Sequence, residues 1–105
     1  MNSKIRDENV DFLFEAILTL KSVDECYEFF EDLCTIKEIK AMAQRLVVAK
    51  MLTEKCVYSD IVAKTGVSTA TISRVNRSLY YGNDGYSITF ERMDNKEENK
   101  DEEKE

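Results

Sequence analysis

Apolar residues recur every three to four positions along most of the chain, which is the spacing of helices that bury one face. Between Val10 and Leu20 the density is higher, with eight apolar residues among eleven. A segment this apolar exceeds what a one-sided surface helix needs, and a chain of 105 residues has no room to bury it alone. We therefore expect these side chains to pack against a second copy of the chain.

Two further helices are predicted downstream of this segment. Ser22 or Asp24 can cap the first of them, and Thr35 can cap the second. The residues expected on the buried face of the first are Val23, Cys26, Tyr27, Phe30, Leu33 and Cys34. The second is the longest amphipathic stretch and the predicted spine of the domain, with its apolar residues at Ile39, Met42, Ala43, Leu46, Val47, Ala49 and Leu52.

A pair of shorter helices is predicted between about residues 58 and 79. Ser59 can cap the first, whose inner face would be Ile61 and Val62. Gly66 falls where a left-handed residue must end that helix.

The second helix of the pair starts directly after the turn. Val67 is predicted to enter the core and Ser68 to cap the helix, whose buried stripe would be Ile72, Val75 and Leu79. Two short helices joined by a glycine-containing turn are typical of the helix-turn-helix, which presents its second helix to the major groove of DNA.

The exposed side chains of that second helix suit contact with base edges. They are short in its first turn, so the helix N-terminus can approach the bases and favour a phosphate. Arginines follow one turn later, within reach of the DNA backbone, and the first helix adds a lysine and a serine. The predicted DNA-binding residues are Ser59, Lys64, Ser68, Thr69, Ala70, Thr71, Ser73, Arg74 and Arg77.

Composition agrees with helices and with a local basic module. The chain has no proline and only three glycines, which favours an all-α fold. The net charge of −6 argues by itself against nucleic-acid binding. However, residues 36–82 hold eight bases and three acids, a net +5, between acidic flanks of −6 and −5.

The end of the chain is predicted to lack a core. Residues 91–105 hold eight acids and four bases, with Met93 as the one apolar side chain, and are expected to form a disordered acidic tail. The alternating segment Tyr86–Phe90 is expected to be a short extended arm. Residues 1–90 would then form a single helical domain.

Several functional classes find no support in the residues. There is no histidine and no glycine-rich phosphate loop, and Cys26, Cys34 and Cys56 stand apart, so we expect no enzyme, no metal site and buried reduced thiols. No apolar run approaches the roughly 20 residues that cross a bilayer, and the N-terminus lacks the apolar region of a signal peptide. We expect a cytoplasmic protein without membrane contact.

The segment containing Gly66, Ala70-Thr-Ile-Ser-Arg74 and Ser78-Leu79 resembles the recognition helix of the Trp-repressor superfamily. The length and ending of the chain resemble the short Trp-repressor-like proteins of the YerC/YecD type. A weaker match, with a one-residue gap, joins Thr35-Ile-Lys-Glu-Ile39 and Gln44-Arg-Leu46 to the helix before the motif. The resemblance implies an interlocked all-helical homodimer in which the N-terminal helices of both chains share one core.

The resemblance also implies two ligand candidates. Arg45 and Arg74 match the arginines that flank bound tryptophan in the repressor, although salt bridges or phosphate contacts would explain the same residues. Val75 stands where the repressor has glycine, and its branched side chain would crowd an indole. We therefore assign no cofactor and do not expect tryptophan, while a different small-molecule corepressor stays open.

These observations favour one function and leave one alternative. The favoured function is a sequence-specific transcriptional regulator, a repressor, that binds double-stranded DNA as a homodimer. The alternative is a dimeric protein-interaction adaptor whose helix-turn-helix docks protein and not DNA.

Overall fold

The protein is entirely helical in a computed structural model that describes the backbone of residues 4–104 and the side chains of residues 4–97. The helices follow one another as α1 (Glu8–Ile17), α2 (Val23–Leu33), α3 (Ile36–Thr53), α4 (Tyr58–Thr65), α5 (Thr69–Tyr81) and α6 (Gly85–Lys104). The predicted all-α fold class is confirmed. None of the described helices is both long enough and apolar enough to cross a membrane.

The chain divides into two compact units, Met1–Ile39 and Lys40–Glu105. The first contains α1, α2 and the start of α3, and the second contains the rest of α3 and the remaining helices. Whether residues 1–90 act as one domain depends on the second copy of the chain, and this stays a prediction.

Each helix start in the first unit is capped by a side chain. Asp7 accepts a hydrogen bond of 2.8 Å from the amide of Val10, and Ser22 accepts one of 3.1 Å from the amide of Glu25. Such caps satisfy amides that the first turn of a helix leaves without an intrahelical partner. Of the two caps considered for α2, the structure selects Ser22.

Helix α3 begins with a reciprocal capping box. The hydroxyl of Thr35 accepts from the amide of Glu38 at 3.1 Å, and the carboxylate of Glu38 accepts from the amide of Thr35 at 2.9 Å. These bonds favour the ionised carboxylate, so the backbone hydrogen bond from Thr35, followed by its hydroxyl, lowers the pKa of Glu38. The predicted cap at Thr35 is confirmed.

The first unit does not bury any residue of α1 or α2 completely. Each helix has one partly buried face, formed by Val10, Leu13, Ala16, Ile17 and Leu20 in α1 and by Cys26, Phe29 and Phe30 in α2. Three of the residues predicted to face inward from α2 are exposed in the single chain, namely Val23, Tyr27 and Leu33. The apolar surface of these helices therefore exceeds what their own chain covers.

The second unit, by contrast, contains a core. Its buried side chains are Val48, Ala49, Leu52, Ile61, Val67, Ile72, Val75, Leu79 and Phe90, contributed by four helices and the turn before α5. The largest fully buried ones are Ile61, Ile72 and Val48. This core holds α4 and α5 against α3.

A Schellman turn ends α3. The amide of Lys55 donates to the carbonyl of Leu52, and the amide of Cys56 donates to the carbonyl of Met51. Lys55 takes the left-handed conformation, with φ at 66°, at the position where helices usually place glycine. The chain therefore leaves α3 through a turn that its own residue type does not favour.

The end of the chain differs from both predictions made for it. Residues 86–90 are helical, so the predicted extended arm is wrong, and the helix continues through residues 91–104, where we predicted disorder. Phe90 explains the difference because it is 8% exposed and packs in the core, which anchors the helix. Lys50 of α3 strengthens the attachment, with its ammonium 5.1 Å from the Phe90 ring centroid and 3.8 Å from the Asp94 carboxylate.

The three cysteines are free thiols, and all three are partly buried. The prediction of reduced thiols agrees with this state, although their burial is less complete than expected.

Candidate nucleic-acid interface

Helix α4 opens the candidate site without a side-chain cap. The residue before the helix, Val57, is extended and forms no side-chain hydrogen bond, while its carbonyl accepts from the amides of Asp60 and Ile61 at 3.1 and 3.2 Å. The predicted cap at Ser59 is therefore wrong. Ser59 is the second helical residue and its side chain is exposed.

The turn between α4 and α5 is held from both ends. Gly66 has a φ of 76° and donates its amide to the carbonyl of Val62 at 2.8 Å, which confirms the predicted left-handed glycine. The hydroxyl of Thr65 donates to the carbonyl of Ile61 at 2.7 Å and accepts from the amide of Val67 at 3.3 Å.

Sequence analysis missed Thr65 as a residue that shapes this turn. The available signal was a hydroxyl residue two positions before the first apolar residue of the turn, a spacing at which serine and threonine bond the backbone. Because Thr65 satisfies a carbonyl of α4 and an amide of the turn together, the turn has a defined conformation.

Helix α5 starts at the cap that the sequence predicts. The hydroxyl of Ser68 accepts from the amide of Thr71 at 3.2 Å and lies 3.1 Å from the hydroxyl of Thr71. The remaining amides of the first turn point out of the helix end and favour an anion there.

The inner face of the α4–α5 pair is confirmed as predicted. Ile61 and Ile72 are fully buried, and Val67, Val75 and Leu79 are at most 9% exposed. Val62 is only partly buried and packs at the edge of this core. A helix with one face fully packed has its opposite face fixed in orientation, which is the requirement for a surface that reads another molecule.

The outer face of α5 carries a row of exposed residues opposite that core. Ala70, Arg74, Arg77 and Tyr81 follow one another at spacings of four, three and four positions, and all of them are exposed. At 3.6 residues per turn these positions form one stripe along the helix. Thr69 and Ser73 are also exposed and flank the stripe.

Thr71 lies closer to the core than the other predicted base-reading residues. Its side chain is partly buried, and its hydroxyl is engaged with Ser68. Contact of Thr71 with a base stays a prediction, but its hydroxyl would have to leave an existing partner. Ala70 and Ser73 meet no such obstacle.

The charges around this face are of one sign. No acidic residue occurs between Asp60 and Asp84, while Lys64, Arg74 and Arg77 all lie in that segment and are exposed. Among the residues that the structure describes, none of these three cations takes part in an ion pair. Their side chains are therefore free to neutralise phosphates.

The two residues considered as ligand candidates are both exposed, Arg45 on α3 and Arg74 on α5. Val75 is 2% exposed and packs in the core with Ile72 and Leu79. A branched side chain therefore fills the position next to Arg74, which does not fit an indole there. No step of the function proposed below uses tryptophan.

Comparison with known proteins places this geometry in a family. Residues 8–94 match the family model described as Trp repressor protein. The uncharacterized protein YerC of Bacillus subtilis (strain 168) is 56% identical over 90 residues, which is 86% of both chains.

Two solved structures share the fold. A TrpR-like protein from Eubacterium eligens is 62% identical with a TM-score of 0.84, over 88% of this chain and 95% of its own. A Staphylococcus aureus protein described as a candidate Trp repressor is 53% identical with a TM-score of 0.83, over 87% of this chain and 91% of its own. The capped α4–turn–α5 pair thus lies within a match that spans nearly all of the described helices, and the chain belongs to the Trp repressor protein family as a YerC-type member.

Proposed function

We propose that the protein is a sequence-specific transcriptional regulator, a repressor, that binds double-stranded DNA as a homodimer. The observation that carries this proposal is the exposed stripe of α5, which combines short side chains at the helix start with arginines one turn later. Short residues let a helix approach base edges, and arginines bind phosphate or guanine. The packed inner face of the same helix holds this stripe in place.

The apolar surface of the first unit supports the homodimer. Phe12 is 74% exposed and Leu18 is 83% exposed, although both belong to the most apolar segment of the chain. A second copy can cover these side chains, and two copies related by a two-fold axis would present two α5 helices to one duplex. Dimers of this kind bind half-sites about one helical turn of DNA apart.

The family supports the same function. The Staphylococcus aureus relative is described as a candidate Trp repressor and the Eubacterium eligens relative as TrpR-like. For this chain, the contacts that we propose are Ser59 and Lys64 from α4 and Ser68, Thr69, Ala70, Thr71, Ser73, Arg74 and Arg77 from α5 and its cap.

The test is selection and titration of DNA by the full-length protein. Selection from random duplexes should enrich a two-fold symmetric sequence, and the affinity should fall steeply with salt because phosphates are neutralised. Arg77→Gln should weaken binding to all sequences and flatten the salt dependence by about one unit per contact. Arg92→Gln, which removes an exposed arginine of α6, is the matched control and should leave both unchanged.

Two results would contradict the proposal. A selection that enriches no sequence would exclude specific reading, and an affinity independent of salt would exclude phosphate contact. Both together would favour the protein-docking adaptor. A reporter placed behind the selected sequence then tests repression, which should be lost in the Arg77→Gln variant.

A further inference from the structure

Two adjacent tyrosines end the recognition helix, and both are exposed. Tyr80 is 57% exposed and Tyr81 is 88% exposed. They are large, partly apolar side chains on the surface of the second unit, and neither contributes to its core. Each carries a phenol that can donate one hydrogen bond.

The two tyrosines point in different directions around α5. Tyr81 continues the outward stripe of Ala70, Arg74 and Arg77, whereas Tyr80 is rotated from it by about 100°. If the stripe faces DNA, Tyr81 faces it as well, and Tyr80 faces the side.

The length of the stripe decides which part of DNA Tyr81 can meet. Ala70 and Tyr81 are eleven positions apart, about 16 Å along the helix axis. The major groove is only about 8.5 Å deep. When the first turn of α5 lies at the base edges, its last turn therefore lies at the rim, where the phosphates are.

The end of α5 is held in one conformation. The amide of Gly82 donates to the carbonyl of Ser78 at 3.0 Å and closes the last turn. A Cβ atom at position 82 would overlap that same carbonyl oxygen, so the close approach requires glycine. Tyr81 is therefore the last residue of a helix end that does not unwind without breaking this contact.

We propose that the phenol of Tyr81 donates a hydrogen bond to a backbone phosphate at the rim of the groove that α5 enters. The contact rests on the proposed function and extends the DNA interface one turn beyond Arg77. The segment from residue 61 to residue 83 contains no acid that would repel the phosphate. Because the phenol is neutral, the contact adds affinity without releasing a counterion.

The first test compares Tyr81→Phe with Tyr80→Phe, a matched control that removes the same hydroxyl one position away. Tyr81→Phe should weaken the affinity of the full-length dimer for its selected DNA about tenfold, the effect of one hydrogen bond to a charged group. The salt dependence and the selected sequence should both stay unchanged. Tyr80→Phe should bind as the unaltered protein does.

The second test needs no substitution. Tetranitromethane modifies exposed tyrosines, and peptide mapping locates the nitrated residues. Bound DNA should protect Tyr81 and leave Tyr80 reactive.

The outcomes separate this contact from the function on which it rests. Full affinity of Tyr81→Phe, an equal loss in both tyrosine variants, or unchanged nitration of Tyr81 on DNA would each overturn the contact and leave DNA binding intact. Absence of DNA binding by the unaltered dimer would overturn the proposed function and this contact with it.

Discussion

Helices α2 and α5 start in the same way and end in different environments. They have 11 and 13 residues, and each is capped by a serine that accepts from the amide three positions later. Yet α2 has no buried residue, while α5 buries Ile72, Val75 and Leu79. Local capping therefore specifies where a helix begins but not what covers its apolar face.

The two units repeat this contrast on a larger scale. The second unit, Lys40–Glu105, packs its apolar side chains against one another within one chain. The first unit, Met1–Ile39, leaves Phe12, Phe14 and Leu18 at least half exposed. If a second copy covers them, the stability of the first unit depends on protein concentration, as it does for any obligate dimer.

The largest expected effect comes from a charge in the first unit. Phe14→Asp should cost on the order of 4 kcal/mol and yield a largely unfolded monomer, because a carboxylate would be buried in the dimer core. Sedimentation and circular dichroism measure this, with Glu15→Gln on the same helix as the control. A well-folded Phe14→Asp monomer would remove the interlocked-dimer hypothesis and the contrast built on it.

A cavity in the second unit should have the next largest effect. Ile72 is fully buried, so Ile72→Ala should destabilise the protein by about 3 kcal/mol and weaken DNA binding by loosening α5. The control is Ile88→Ala, because Ile88 is 45% exposed and its truncation should cost less than about 1 kcal/mol. Urea unfolding compares the two. Equal losses would show that burial in this unit does not decide stability.

Two left-handed positions in the second unit should respond in opposite directions. Gly66→Ala should destabilise by about 1 kcal/mol, because φ is 76° there and a side chain disfavours that conformation. Lys55→Gly should stabilise by up to about 1 kcal/mol, because Lys55 adopts a φ of 66° that glycine tolerates. Thermal unfolding of both variants is the measurement. A shift of the same sign in both would contradict the assignment of strain to these turns.

The smallest effect concerns the capping box in the first unit. The folded-state pKa of Glu38 is lowered from its ordinary 4.5, so its contribution is present above that pH and is lost as the pH falls through the lowered pKa. Glu38→Gln should therefore lower the urea midpoint at pH 7 and converge with the unaltered protein in acid. A difference that persists unchanged in acid would exclude the carboxylate as its cause.

Much of the candidate site followed from local rules. The caps at Ser22, Thr35 and Ser68, the left-handed Gly66 and the buried stripe of α5 all depend on residues within four positions of one another. Interactions of that range need no knowledge of the rest of the chain. Ser59 failed because two residues can open the same helix, and the conformation of Val57 decided between them.

Tertiary structure decided the outcome where the local pattern was neutral. The acids and bases of residues 91–105 suit either a solvated tail or a solvated helix, and Phe90, packed in the core beside Lys50, selects the helix for the residues up to 104. In the same way, the spacing in α1 and α2 identified apolar faces, but only the folded chain shows that Phe12, Leu18 and Tyr27 stay uncovered by it. The sequence by itself determined helix starts, turn conformations and apolar faces, because backbone geometry and short-range hydrogen bonds control them. Burial was decided by the tertiary structure, because it depends on residues that are distant along the chain.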